Sequence, residues 1–318
     1  MAAILSILAA LLSLLSFPAS AADEAPGLRA RAFSEATLAS AKGLEYRILI
    51  SAPSGPPLQR GFPVIYVLDG DAWFGSAIEV AKMREYEKLA PAIIVGVGYP
   101  SRRFFDLRRS YDFTPPGSAD ADFKDSEIGG ADEFLAFLNS KLKPWVRQQY
   151  HVDPDAEILF GHSFGGLFAL HALFTAPDSF DVYLIASPSI LFSDRIVLKR
   201  EAAFLANPKR TAVRALVTAG EYEYPKISAA LKEDYRRHYA AHPEDIPGQT
   251  PQQAADELFA RAPNDGNASI PSDARALVER LTKAGVNARF AYFEGEEHMS
   301  AAVSALNRGI PFALRPPQ

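Results

Sequence analysis

The stretch Ala156-Glu157-Ile158-Leu159-Phe160-Gly161-His162-Ser163-Phe164-Gly165-Gly166-Leu167-Phe168-Ala169-Leu170-His171-Ala172-Leu173-Phe174 decides how the chain is read. An apolar run, Ala156 to Phe160, leads into G-H-S-F-G-G, and a helical apolar pattern, Leu167 to Phe174, follows. Strand, G-x-S-x-G, helix is the context a nucleophile elbow requires. The turn is so tight that the serine takes a strained backbone, and the flanking glycines leave room where side chains would collide. The serine oxygen then stands clear of the sheet, above a helix N-terminus with free N–H groups. The bland alternative is an ordinary Gly-rich strand–helix turn. A bare motif is weak in a chain with 20 Gly, and a matching distal histidine makes it specific.

Outward from the elbow, strands alternate with helices. Leu44 to Ala52 alternates, with Leu44, Tyr46, Ile48 and Ile50 on one face. Val64 to Leu68 and Ala92 to Gly98 are continuous apolar runs, which suits strands covered on both faces. Asp69-Gly70-Asp71 forms a loop after the first of these, and a helix is predicted over about 75–89. Tyr99 to Asp125 has almost no periodicity, and unstructured loops of that length are usually functional. Gly130 to Tyr150 reads as an amphipathic helix with Phe134, Phe137, Leu138, Leu142, Trp145 and Val146 in one stripe, a core face. Beyond the elbow, strands are predicted at 182–186, 213–219 and 287–293. A helix is predicted from Ser272, its N-cap, to Gly285, and another after His298. Residues 227–262 read as a polar helical region broken at Pro243 and Pro247-Gly248, a lid or padding. The pattern implies a mostly parallel sheet with helices on both faces, in a single domain over residues 22–318.

At 318 residues and 48% hydrophobic content the chain can bury a large core and is too polar for a multispanning membrane protein. Its net charge of −5 gives no reason to expect nucleic acid as a partner. The absence of cysteine excludes disulfides, a thiol nucleophile and Cys-ligated metals. No cofactor and no metal are expected. Residues 1–21 read as a signal peptide: Ala2 to Phe17 is almost wholly apolar, Pro18 breaks it, and Ala19-Ser20-Ala21 fits the A-x-A pattern. The run is short for a bilayer span, and no Lys or Arg precedes it. The rival is an uncleaved anchor, the one case in which the membrane would be a partner. Either way the body is placed outside the cytoplasm, periplasmic or secreted.

A serine nucleophile needs a base and a group to orient that base. Of six histidines, His298 alone follows the last sheet strand and precedes the C-terminal helix, where the base must arrive. His162 is expected to point away from the nucleophile, His171 to pack, His151 to lie in a turn, and His238 and His242 to face solvent. The acid should follow the strand ending at Ala219. Glu223 is preferred, because the chain needs room past Gly220 to turn back. Glu221 is the fallback, and a Ser–His dyad without a strong acid stays open. The expected oxyanion donors are the backbone amides of Phe164 and Asp71.

These residues resemble the esterase D-like family of α/β-hydrolases, which includes S-formylglutathione hydrolases, feruloyl esterases and mycolyltransferases. Within it the chain is most similar to periplasmic hydrolases of enterobactin-type siderophore trilactones. The likeness rests on Val64 to Asp71, Tyr111-Asp112-Phe113-Thr114-Pro115, Phe160 to Leu167, Ser187-Pro188-Ser189 and Glu294-Gly295-Glu296-Glu297-His298. It implies an α/β-hydrolase fold, Ser163 as nucleophile, His298 as base and the Gly70–Asp71 loop in the oxyanion hole. The acid position is weak or absent in the siderophore hydrolases. An arginine near the Thr-Pro loop contacts substrate there, a role open to Arg109 or Arg103 and suited to an anionic ferric complex; surface salt bridging is their alternative. The implied function is an exported serine esterase acting on a siderophore lactone. A general short-acyl carboxylesterase or acyltransferase and a non-catalytic siderophore-binding protein are the other readings.

Overall fold

Apolar residues that alternate between two buried faces make the frame on which everything else hangs. The computed structural model describes residues 33–56, 58–120, 123–124, 127–223, 229–260 and 269–316. The signal segment 1–21 lies outside the described residues. Strands β1 (Ser34–Ala39), β2 (Glu45–Ser51), β3 (Phe62–Leu68), β4 (Ile93–Gly98), β5 (Val152–His162), β6 (Val182–Ala186), β7 (Arg214–Gly220) and β8 (Asn287–Phe293) form one sheet, ordered β1-β2-β4-β3-β5-β6-β7-β8. β1 and β2 are antiparallel to their neighbours and the other six run parallel.

Both faces are covered, as the continuous apolar runs imply. Tyr66 and Leu68 of β3 join one core with Phe134, Phe168, Leu277 and Leu281, while Ile65 and Val67 join the other with Trp73, Ala77, Leu306 and Ile310. Along the chain run helices α1 (Gly70–Tyr86), α2 (Arg109–Phe113), α3 (Ala131–Phe137), α4 (Lys143–Gln149), α5 (Phe164–Thr175), α6 (Ala229–Ala241), α7 (Pro251–Ala260), α8 (Ile270–Lys283) and α9 (His298–Leu314), of which α1, α5, α8 and α9 pack on the sheet. β3 passes the chain to β4 on one side while β5 and then β6 lie on its other side. Connections leaving β3 and β5 therefore diverge at their carboxyl ends, and that crevice is where open α/β sheets bind ligands.

Four local readings change. Asp69-Gly70-Asp71 is not a free loop: Asp69 is left-handed (φ 49°), turns the chain at once, and α1 starts at Gly70 rather than near 75. The segment after Tyr99 contains α2, whose Asp112 and Phe113 are buried. A π turn, Leu138–Leu142, joins α3 to α4. α8 begins earlier than Ser272, because Ser269 is the N-cap and Ser272 completes a reciprocal capping box. The polar region after Gly220 forms α6 and α7, packed on each other, with Ala254 and Ala255 buried.

Candidate active site

Ser163 links β5 to α5 with φ 59° and ψ −116°, outside every region a side chain favours, at a cost on the order of 1–3 kcal/mol. Backbone bonds hold it there. Its N–H donates to Ala186 O at 3.0 Å, and its carbonyl accepts from Leu167 at 2.9 Å and Ser189 at 3.2 Å. Gly161 is obligatory, because a Cβ there would lie 2.1 Å from Gly165 O, and one on Gly166 would lie 2.8 Å from Ala186 O. The second glycine of the motif, Gly165, is not sterically required: its nearest neighbour would be 3.6 Å away. The Ser163 hydroxyl lies 3.4 Å from Ser189 Oγ.

His298 opens α9, after the carboxyl end of edge strand β8. Its Nδ1 is 3.1 Å from Glu223 Oε1, and the other oxygen of that buried carboxylate accepts from Gly220 N–H at 3.1 Å. The backbone brings them together: Glu221 N–H donates to Phe293 O and Tyr222 N–H to Glu296 O, so the turn after β7 is zipped to the one after β8. Gly220 permits the approach, since a Cβ there would lie 2.5 Å from Glu296 O. Glu221 is directed elsewhere, its carboxylate accepting from Gly295 N–H at 2.8 Å.

His162 is not turned away from the site. Its Nε2 is 2.7 Å from the His298 carbonyl oxygen, and the two rings stand 4.5 Å apart. A carbonyl only accepts, so Nε2 carries the proton. Burial, then the neighbouring His298, holds His162 well below the usual imidazole range, and it stays neutral. Trp73 packs edge-on against it at 5.3 Å. The sequence offered one signal for this partner, its place inside the elbow motif. His171 packs in α5 as expected, with Nε2 2.7 Å from Asp132, and His238 and His242 are exposed. His162, Glu223 and His298 each present a nitrogen or oxygen within 4.8 Å of the others, a spacing that could hold a metal ion. The hydrogen bonds just described already use atoms of all three.

The Asp71 carboxylate faces the sheet, paired with Arg47 and accepting from Tyr99 N–H at 3.3 Å, so its backbone amide is the group left for a ligand. Asp69 accepts Ala72 and Trp73 N–H groups on its carbonyl, which leaves the Gly70 and Asp71 amides as the first turn of α1. Arg109 lies not in open solvent but on Asp69, with Nε and Nη2 at 2.8 and 2.9 Å from its two oxygens. Phe105, Phe113 and Phe164 surround that guanidinium at 5.0 to 5.5 Å. Arg103 is exposed on the same loop, and among the described residues its guanidinium has no ion pair. Phe164, Phe192 and Phe123 form an aromatic wall beside the serine, with centroids 5.1 to 6.4 Å apart.

A family model described as Putative esterase matches residues 39–312. The chain is 33% identical over 287 residues to the ferri-bacillibactin esterase BesA of Bacillus subtilis, covering 85% of each chain. It is 33% identical over 292 residues to the siderophore enterobactin esterase of Emericella nidulans, covering 86% of this chain and 91% of that one. The crystal structure of the BES protein from Bacillus cereus superposes with a TM-score of 0.70 at 31% identity, covering 91% of this chain and 97% of that one.

Proposed function

The chain belongs to the Putative esterase family, with its α/β-hydrolase sheet, and from that premise we propose that it is an exported serine esterase that hydrolyses siderophore esters through an acyl-enzyme. The observation that carries this reading is the 3.1 Å hydrogen bond between His298 Nδ1 and the buried Glu223 carboxylate, at the sheet edge that bears the strained Ser163. With Nδ1–H given to the carboxylate, Nε2 keeps the lone pair and serves as base.

In this mechanism Ser163 Oγ turns from Ser189, gives its proton to His298 Nε2 and attacks the ester carbonyl carbon. The oxyanion is held by backbone N–H groups of Phe164, at the start of α5, and Asp71, in the first turn of α1. Collapse expels the alcohol oxygen, which takes the proton from the imidazolium and leaves acyl-Ser163. Water then gives a proton to His298 and attacks the acyl carbon, releasing the carboxylate product and restoring the serine. Glu223 stabilises the imidazolium at both stages.

The relatives named for bacillibactin and enterobactin support a siderophore as the substrate. Arg103 supplies a cation for an anionic ferric complex. Phe123, Phe164 and Phe192 supply apolar surface, and Phe123 also lines a cleft of about 750 Å³ with Leu107 and Tyr111. Export is supported by the apolar Ala2 to Phe17 segment and Ala19-Ser20-Ala21.

The test is turnover by the purified mature protein, wild type and Ser163→Ala, on apo- and ferric enterobactin beside p-nitrophenyl butyrate. Preference for the trilactone, abolished in the variant, is the expected result. Preference for the simple ester sinks the siderophore substrate and leaves a general esterase. Binding of the ferric complex with no turnover of any ester marks a binding protein instead.

A further inference from the structure

Far from Ser163, a second cleft of about 750 Å³ runs between edge strand β8 and helix α9 and reaches the end of α1. Five arginines line it: Arg84, Arg214, Arg289, Arg308 and Arg315. They come from α1, β7, β8, α9 and the residue after α9, and the fold gathers them. Arg308 and Arg315 are seven apart in sequence, so they fall on one face at the end of α9. Arg289 pairs in register with Leu216, two residues on from Arg214, so both arginines project from the same face of the sheet.

The charge in this cleft is unbalanced. Arg84 is paired with Glu87 at 2.5 Å, and Arg315 reaches the same carboxylate at 3.9 Å. Arg214 donates to carbonyls that end α9, Phe312 O and Ala313 O, which satisfies a helix terminus but neutralises nothing. Arg289 and Arg308 are exposed and, among the described residues, have no ion pair. At the upper end Glu296 is turned to Ser304 Oγ, 2.8 Å. Among the described residues Glu87 is the carboxylate paired with any of these five guanidiniums, in a chain whose net charge is −5. The Arg214 and Arg289 guanidiniums lie 4.8 and 5.7 Å from the centre of the Phe312 ring. Burial, then the neighbouring Arg289, holds Arg214 below the usual guanidinium range.

We propose that this cleft is a binding site for a phosphate-bearing ligand of charge −2 or greater, separate from the ester-hydrolysing site. Guanidinium forks match phosphate oxygens two at a time, and two free forks with three partly engaged ones suit a group with more than one negative charge. A single carboxylate would leave most of the cluster unbalanced. Separation from the catalytic residues follows from strand geometry: Arg214 opens β7 and Gly220 closes it, about 20 Å away at the usual rise. The same chemistry is offered by a soluble phosphate compound and by an anionic phospholipid headgroup.

The experiment uses the mature protein and an Arg289→Glu/Arg308→Glu variant, both side chains being exposed and outside either core. Inorganic pyrophosphate is titrated calorimetrically at low and high salt, and both proteins are sedimented with cardiolipin-containing or pure phosphatidylcholine vesicles. Saturable pyrophosphate binding, weakened about tenfold or more in the variant and by added salt, supports a soluble phosphate ligand. Sedimentation with the cardiolipin vesicles alone, lost in the variant, supports a headgroup of two phosphates. No binding of either probe at low salt, or equal binding by both proteins, overturns the proposal. Hydrolysis of p-nitrophenyl butyrate is expected to be equal in the two proteins, which shows that the variant is folded and that this site is not the catalytic one.

Discussion

The Nε2–H of His162 donates to the backbone carbonyl of His298 across 2.7 Å, joining the residue before Ser163 to the residue that faces it from α9. One buried neutral ring thus ties the elbow to the backbone of the proposed base. Replacing His162 with Ala removes this side-chain donor and leaves a hole beside Trp73. We expect kcat to fall about tenfold or more with KM nearly unchanged, because position and not binding is lost. Stability should also fall by about 1–3 kcal/mol for the lost hydrogen bond and the hole left behind. His162→Gln, which keeps an N–H donor, should recover part of kcat. Equal losses in kcat for Ala and Gln, with an unshifted pH–rate profile, would show that the ring matters only as filling.

Glu223 and Glu221 separate by what their carboxylates hold. Glu223→Gln keeps the shape but can offer an N–H to His298 Nδ1, which favours the wrong tautomer. A loss of kcat on the order of 10³-fold or more follows for a triad acid. Glu221→Gln touches only the Gly295 amide and should stay within about threefold. Steady-state rates on p-nitrophenyl butyrate decide. A Glu223→Gln enzyme of near wild-type rate would leave a Ser–His dyad.

Arg109 and Asp69 predict a kinetic signature. Asp69 is the left-handed hinge that starts α1, its carboxylate is 1% exposed, and Arg109 is its bidentate partner. Arg109→Met would strand a buried charge, at about 3–5 kcal/mol of stability. Arg109→Lys keeps the charge and loses the fork. The expected result for Arg109→Lys is a lower kcat with KM within about twofold, because the first turn of α1, which bears the Asp71 amide, loosens. A raised KM with kcat intact would instead make Arg109 a substrate contact.

Much of this was legible in the chain because the signals are local. β6 coincides with a run of apolar residues, β8 with the predicted last strand, and the elbow is a contiguous motif whose strand, turn and helix can be read together. His298 stands out by topology as the candidate base, since it alone among the six histidines follows the last sheet strand. What was not legible depends on partners far apart in sequence. His162 and its acceptor are 136 residues apart, and Arg109 and Asp69 are 40 apart. The start of α1 at Gly70 turns on one backbone angle at Asp69, which no periodicity encodes. The five arginines of the second cleft are spread from 84 to 315 and form a cluster only after folding.

Asp112 gives the chain a pH-dependent element in the short helix α2. Its side chain is 1% exposed, accepts from Tyr46 Oη at 3.0 Å and lies 3.4 Å from Arg108 Nε. Burial pushes its carboxyl up from 3.8 to about 6, against the opposing pull of Arg108 and of the Tyr46 hydroxyl. The sign follows from which state holds the proton. Between those two values the folded protein keeps a proton that the unfolded chain has lost, so stability falls as pH rises through the window. Above about pH 6 the whole penalty is present, on the order of 3 kcal/mol. Asp112→Asn keeps the shape and an acceptor for Tyr46 but cannot ionise. Urea unfolding of both proteins from pH 4 to pH 8 isolates this group, since other titrations cancel in the difference. Relative to Asp112→Asn, the wild type should lose stability as pH rises toward about 6 and hold a constant deficit above it. A difference that stays flat across the range, or that grows toward acid, would mean Asp112 is ionised in the fold and stabilised there by Arg108.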